Sequence, residues 1–210
     1  MTTSGRNHWE SVYTKKAADA VSWYARHLER SLAFIDATGA PADAAIIDVG
    51  AGASTLADDL VARGFRDLTL LDLSATALDV VRTRLGPRGE SITWWVGDVT
   101  EVPLPGAAYD VWHDRAVFHF LTHPALRERY VAQVRHAVKP GGHVIVATFG
   151  LAGPERCSGL DVVRYDADGI HAAFGPSFVK VQSASDRHET PWGSVQELTY
   201  CYCRVTGPTT

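Results

Sequence analysis

The chain has 210 residues, 46% hydrophobic and 21% charged, with a formal net charge of -4. Such a chain is long enough to build one full core without staples, and its apolar residues are spread too evenly for a disordered protein. No run of Lys or Arg marks a nucleic-acid binder, three cysteines are no disulfide framework, and no segment approaches the roughly 20 apolar residues of a membrane span.

The first ten residues are polar and lack the apolar core of a signal peptide, so the expected location is the cytoplasm. Trp9 and Tyr13 are four apart and share a face if the segment is helical. A second helix is expected from about Asp19 to Ala37, ended by Gly39, Ala40 and Pro41.

An alternation follows. Ala45 to Val49 and Leu68 to Leu73 are short apolar runs, expected as buried strands, and Ile92 to Val96, Tyr109 to His113 and His143 to Phe149 are the third, fourth and fifth expected strands. Helices are expected at Ser54 to Arg63, Ser74 to Leu85 with Ser74 as N-cap, and Pro124 to Val138. Lys139-Pro140-Gly141-Gly142 reads as a turn. These are βαβ units and predict a mostly parallel sheet with helices on both faces.

After Gly150 the pattern changes to a long loop, a helix from Asp166 to Phe174 and two strands, Phe178 to Ala184 and Glu197 to Val205. Tyr200 and Tyr202 should face one side of the last strand, Cys201 and Cys203 the other. With no helix between them, these strands predict an antiparallel pair closing the sheet. The tail from Thr206 to Thr210 should fray.

The strongest chemical signal is Asp48-Val49-Gly50-Ala51-Gly52, a glycine turn between a buried strand and a helix. Asp72 ends the second strand and Asp98 follows the third, so three successive strands carry an acid at their carboxyl ends. Open α/β sheets bind ligands at that edge, and an acid there can accept bonds from ribose hydroxyls. A dinucleotide fingerprint would need glycine at position 55, where the chain has Thr55.

The run Asp48-x-Gly50-x-Gly52, Asp72, Asp98 and Val138-Lys139-Pro140-Gly141-Gly142 resembles the class I S-adenosylmethionine-dependent methyltransferases over about residues 42 to 150. The resemblance implies a Rossmann-like three-layer α/β sandwich whose mostly parallel, seven-stranded sheet has an antiparallel last strand. It divides the chain into a helical lid segment at 1–41 and a methyltransferase domain at 42–205. It implies that Asp48, Gly50 and Gly52 meet the methionine part of S-adenosylmethionine. By the same likeness Asp72 with Leu73 holds the ribose, and Asp98 with Val99 reads the adenine. Trp9-x-x-x-Tyr13 is similar to the segment preceding the core in the elongation-factor lysine methyltransferases, which implies that both rings cover the cofactor. Those relatives have an acid–lysine–glycine run after strand four, and this chain departs from it with Asp114-Arg115-Ala116.

On the acceptor side, His113, Asp114, Arg115 and His119 are candidate catalytic residues, with His119 or His113 as general base. Trp23 and Cys157 are candidate substrate contacts, against the alternative that Cys157 is a small buried residue. The Cys201-x-Cys203 pair lacks further ligands at metal spacing, so no metal is expected. The expected function is methyl transfer to a small-molecule acceptor such as a thiol or another soft nucleophile. The alternatives are protein lysine methylation and a cofactor-binding regulator without turnover. The ionisable cluster after strand four argues against the regulator.

Overall fold

The computed structural model describes residues 3–206, so the tail beyond Thr206 lies outside the described residues. Its sheet has seven strands: β1 (Ala45–Val49), β2 (Asp67–Asp72), β3 (Thr93–Val96), β4 (Tyr109–Arg115), β5 (Val138–Phe149), β8 (Phe178–Glu189) and β9 (Val195–Val205). A two-stranded ribbon, β6 (Arg156–Cys157) and β7 (Leu160–Asp161), sits in the loop after β5. The sheet order is β3-β2-β1-β4-β5-β9-β8. β9 is antiparallel to both its neighbours, and the first five strands pair in parallel.

Alternation along the strands feeds two cores. Ile46, Val111, Ile145, Tyr200 and Tyr202 pack with α2 (Glu29–Ala37), α3 (Leu56–Ala62) and α4 (Ala75–Leu85). Ile47, Trp112, Val144, Cys201 and Cys203 pack with α5 (Pro124–Ala137) and α6 (Ala167–Phe174) on the other face. The expected split of tyrosines from cysteines on β9 therefore holds. Ser74 caps α4 by accepting from the Ala77 amide. Among the described residues no helix is long and apolar enough to cross a membrane.

Three expectations about local structure fail. The helix expected from Asp19 starts only at Glu29, and residues 17–28 form turns. The carbonyls of Ser22 and Trp23 accept from His188 and Arg115, at 2.7 and 2.9 Å, instead of from amides one turn on. The Lys-Pro-Gly-Gly run lies inside β5, where pairing with β4 jumps from Tyr109–Val138 to Val111–His143. That irregularity makes room for Pro140, which has no amide to donate, and for Gly141 at φ +80°. The final hairpin is longer than expected. Its pairing runs on to Glu189–Val195, well past the last β5–β9 pair, Phe149–Leu198. This arm projects beyond the carboxyl end of β5, at the edge where the switch between β1 and β4 opens a crevice.

Candidate active site

The glycine turn after β1 is held by the amides of Gly50 and Ala51, which donate to the Leu71 carbonyl at 2.7 and 3.2 Å. Gly50 has φ +65° and Gly52 φ +54°, a backbone region that favours glycine. A Cβ on Gly50 would collide with Val117, and one on Gly52 with the Tyr13 hydroxyl. The turn is therefore closed from above by β4's continuation and by α1 (Thr3–Lys15).

Asp72 accepts from the Gly52 amide at 2.9 Å and from the Ser74 amide at 2.8 Å, one on each oxygen. Burial pushes its carboxyl up to about 6, partly offset by these two bonds. Asp98 accepts on one oxygen from the amide and hydroxyl of Thr100, at 2.9 and 2.8 Å. Asp48 pairs with His113 Nδ1 at 2.7 Å, His113 Nε2 pairs with Ser31 Oγ at 2.8 Å, and Ser31 meets the Tyr200 hydroxyl at 3.1 Å. This chain joins β1, β4, α2 and β9. Its Ser-His-Asp order resembles a hydrolase triad, yet Ser31 is fully buried and cannot meet a substrate.

Two cavities flank the turn. The larger, about 850 Å³, is lined at one end by Asp72, Leu73, Gly97, Asp98 and Val99. At its other end stand Trp9, Trp23, Phe120, Phe149 and Leu198 with Arg115, Cys157, His188 and Gln196. The smaller, about 470 Å³, is lined by Asp48, Ala51, Ala53 and His113 among others. Tyr13, Trp23, Gly50 and Arg115 border both. Trp9 meets Trp23 and Phe120 edge-on, with centroids at 5.6 and 5.1 Å, and Trp23 Nε1 donates to the Tyr13 hydroxyl at 3.2 Å. Glu10 fastens α1 to the start of α4 through Ser74 Oγ at 2.7 Å and through Thr76 Oγ1.

The cluster expected after β4 is only partly brought together. β4 runs on to Arg115, Ala116 takes φ +73°, and a short 3-10 turn, Phe118–Phe120, follows. Residues 115–119 therefore form no α-helix, and the four-residue spacing of Arg115 and His119 does not put them on one face. His119 is fully buried, takes the Phe149 amide on Nδ1 at 3.2 Å, and lies against Phe120 and Phe149. Burial lowers it to about 3, and it is not among the cavity-lining residues. Asp114 is also fully buried, accepting from the Val117 and Phe118 amides at 2.7 and 3.0 Å and the Tyr130 hydroxyl at 2.5 Å. His113 borders only the smaller cavity, with both ring nitrogens engaged. Arg115 is the member of the cluster that reaches the larger cavity.

Cys157 does line that cavity, with its thiol pushed up to about 12 by burial against the opposing pull of Arg115. His188 and Gln196, partners across the hairpin arm, were missed by sequence reasoning. No local signal marks them. His188 is one of two buried positions in the otherwise largely exposed strand β8, and only its pairing carries it over the crevice.

The family described as "Methyltransferase domain" matches residues 46–142. The mouse "eEF1A lysine and N-terminal methyltransferase" is 24% identical over 152 residues, which cover 70% of this chain and 22% of that protein. The zebrafish "EEF1A lysine methyltransferase 2" is 26% identical, covering 68% of this chain and 67% of its own length. Among solved structures, one from work on conversion of a disulfide bond into a thioacetal group during echinomycin biosynthesis matches with TM-score 0.79 and 17% identity. It covers 98% of this chain and 94% of that one. The Burkholderia thailandensis 1,6-didemethyltoxoflavin-N1-methyltransferase, with bound S-adenosylhomocysteine, matches with TM-score 0.66, 22% identity, and coverage of 98% and 85%. These structural likenesses speak to the fold alone. Family match, curated relatives, sheet order and strand-end acids agree in making the chain similar, over residues 46–142, to the class I, Rossmann-like S-adenosylmethionine-dependent methyltransferases.

Proposed function

We propose that this chain moves the methyl group of S-adenosylmethionine to a small, apolar-bodied acceptor held in the larger cavity. The residues present fit the cofactor. The glycine turn has no room for a side chain, Asp72 offers a carboxylate at a strand end, and Asp98 and Val99 border the same wall. In this reading Asp72 with Leu73 holds the ribose and Asp98 with Val99 the adenine. Asp48, Gly50 and Gly52 border the methionine part, and α1 with Trp9 and Tyr13 is a lid. The cofactor supplies an already activated methyl group, so the protein's task is orientation, exclusion of water and handling of the acceptor's charge.

The observation that carries the small-molecule reading is Arg115. Its guanidinium lines the acceptor end and donates to the Trp23 carbonyl at 2.9 Å. Among the described residues no carboxylate pairs with it. A lysine ammonium would be repelled there.

The second reading is protein lysine methylation. The names of the curated relatives favour it over a small-molecule acceptor, and the aromatic walls would suit a cation. A radiolabelled methyl assay separates the two. Label in low-molecular-weight product supports the first reading. Label in an elongation-factor band, with none in a panel of thiols, phenols and acids, overturns it for the second.

A further inference from the structure

The acceptor end of the larger cavity is built from elements far apart in sequence, and its polar groups are few. Arg115 comes from the end of β4, Cys157 from β6, and His188 and Gln196 from the arm of β8 and β9. The cavity carboxylates, Asp72 and Asp98, sit at the carboxyl ends of β2 and β3, on the opposite side of β1 in the sheet order.

His188 is 7% exposed, and its Nε2 lies 2.7 Å from the Ser22 carbonyl. A carbonyl only accepts, so the ring carries its proton on Nε2 and its lone pair on Nδ1. No other hydrogen bond of this ring occurs among the described residues. A neutral histidine with a fixed tautomer therefore borders the same cavity as an arginine that has no carboxylate partner among the described residues.

We propose that the acceptor is a weak O–H or S–H acid on an apolar body, a phenol or a thiol. Its anionic atom sits beside Arg115 and its proton passes to Nδ1 of His188. The proposal rests on the methyltransferase reading and deepens it. In the transfer the X–H bond breaks and its proton ends on Nδ1. The freed lone pair on X forms the bond to the methyl carbon, and the electrons of the broken methyl–sulfur bond stay on sulfur. Burial and the nearby Arg115 both lower His188, so the ring is a base at neutral pH and sheds the captured proton readily. The hydrogen bond to the Ser22 carbonyl and, less strongly, Asp186 on the same strand act in the opposite direction. The Ser22 carbonyl is neutral, and the Cys157 thiol, raised by burial, stays protonated.

Arg115 borders both cavities, so the anion it meets could instead be the cofactor's own carboxylate. The test uses full-length protein saturated with S-adenosylhomocysteine. The probes are 4-nitrophenol, whose phenolate is coloured, thiophenol and benzylamine. The phenol and the thiol should bind at least about tenfold more tightly than the amine, and bound nitrophenol should show its phenolate band at a pH where the free probe is protonated. Arg115→Met should weaken nitrophenol about tenfold and leave S-adenosylhomocysteine affinity within about twofold. His188→Gln, whose amide can still donate to Ser22, should leave both affinities within a few-fold. It should lower methyl transfer to unsubstituted phenol, which stays protonated at neutral pH, by roughly 10²–10⁴-fold, the usual range for a general base. Nitrogen NMR of the wild-type protein should find the proton of His188 on Nε2.

Each of the following overturns the proposal: preference for benzylamine, failure of both acids to bind the loaded protein, a proton on Nδ1, or an unchanged rate in His188→Gln. A large loss of S-adenosylhomocysteine affinity in Arg115→Met would assign that cation to the cofactor and also overturn it. If the wild-type protein does not bind S-adenosylhomocysteine at all, the methyltransferase reading itself fails.

Discussion

Asp72 serves two structural amides and, in the proposed reading, the cofactor's ribose. Its two oxygens hold the glycine turn and the start of α4. Asp72→Ala should therefore weaken cofactor binding by about 1.5–3 kcal/mol and also lower stability by about 1–2 kcal/mol, because two loop amides lose a charged acceptor. Calorimetry and urea unfolding measure the two effects separately. With its carboxyl raised to about 6, Asp72 is partly protonated below that pH. Hydroxyl donors favour the ionised form, so affinity should climb as pH rises from 5 to 7 and then level off. Asp72→Asn should flatten that climb. Stability runs the other way for this group. The native state holds a proton more tightly than the unfolded chain, so its contribution falls as pH rises from the ordinary value of 3.8 to about 6. A second residue-scale test concerns the buried Ser31–His113–Asp48 chain. Ser31→Ala leaves a buried ring nitrogen without its partner and should cost about 1–3 kcal/mol in urea unfolding. Unchanged stability would mean that the chain is not held by these bonds.

At the scale of elements, the molecule spans its crevice with a helix outside the sheet and the far end of the sheet's last hairpin. α1 is clipped over the glycine turn by Glu10, and the β8–β9 arm reaches over from the other edge. The turns at 17–28 tie the two together, since the Ser22 carbonyl takes His188 while the Trp23 ring meets Tyr13 and Trp9. Hydrogen bonds from Thr76 and then Ser74 hold the Glu10 carboxyl below its ordinary value. Its clasp is therefore present above the ordinary carboxylate range and is lost as pH falls through the lowered value. Glu10→Ala should speed amide exchange in α1 at residues 8–13 and weaken cofactor affinity several-fold, while the melting temperature changes little. Exchange identical to wild type would show that α1 is held by its aromatic packing alone.

For the whole molecule, stability rests on the parallel strands buried on both faces. β1 is buried at all five positions, and Ile47 at its centre is completely enclosed. Ile47→Ala should cost about 2–5 kcal/mol and lower the melting temperature by roughly 6–15 °C in a thermal scan. The same rigid centre positions the switch between β1 and β4, so the loss should also loosen the site. A drop under about 1 kcal/mol would mean that the core repacks around the cavity.

The buried runs, the Gly50–Gly52 turn, the strand-end acids Asp72 and Asp98 and the alternation on β9 were legible because each depends on neighbours within a few residues. Run length separates buried strand from helix, a positive φ favours glycine, and a two-residue period divides Tyr200 and Tyr202 from Cys201 and Cys203. The end of the cavity that holds Arg115 and His188 obeyed no such local rule. Whether 114–119 is helix or strand decides if His119 faces ligand or core, and that depended on how far β4 pairs with β5. Residues 17–28 are not helical, and within them Arg115 and His188, remote in sequence, hold the Trp23 and Ser22 carbonyls. His188 and Gln196 reach the cavity only through the register of the final hairpin. The sequence by itself thus determined the sheet, the glycine turn and its acids, through local sterics and burial. Tertiary pairing alone decided which side chains border the Arg115–His188 end of the cavity, because a cavity wall is shared by elements whose relative register no single segment encodes.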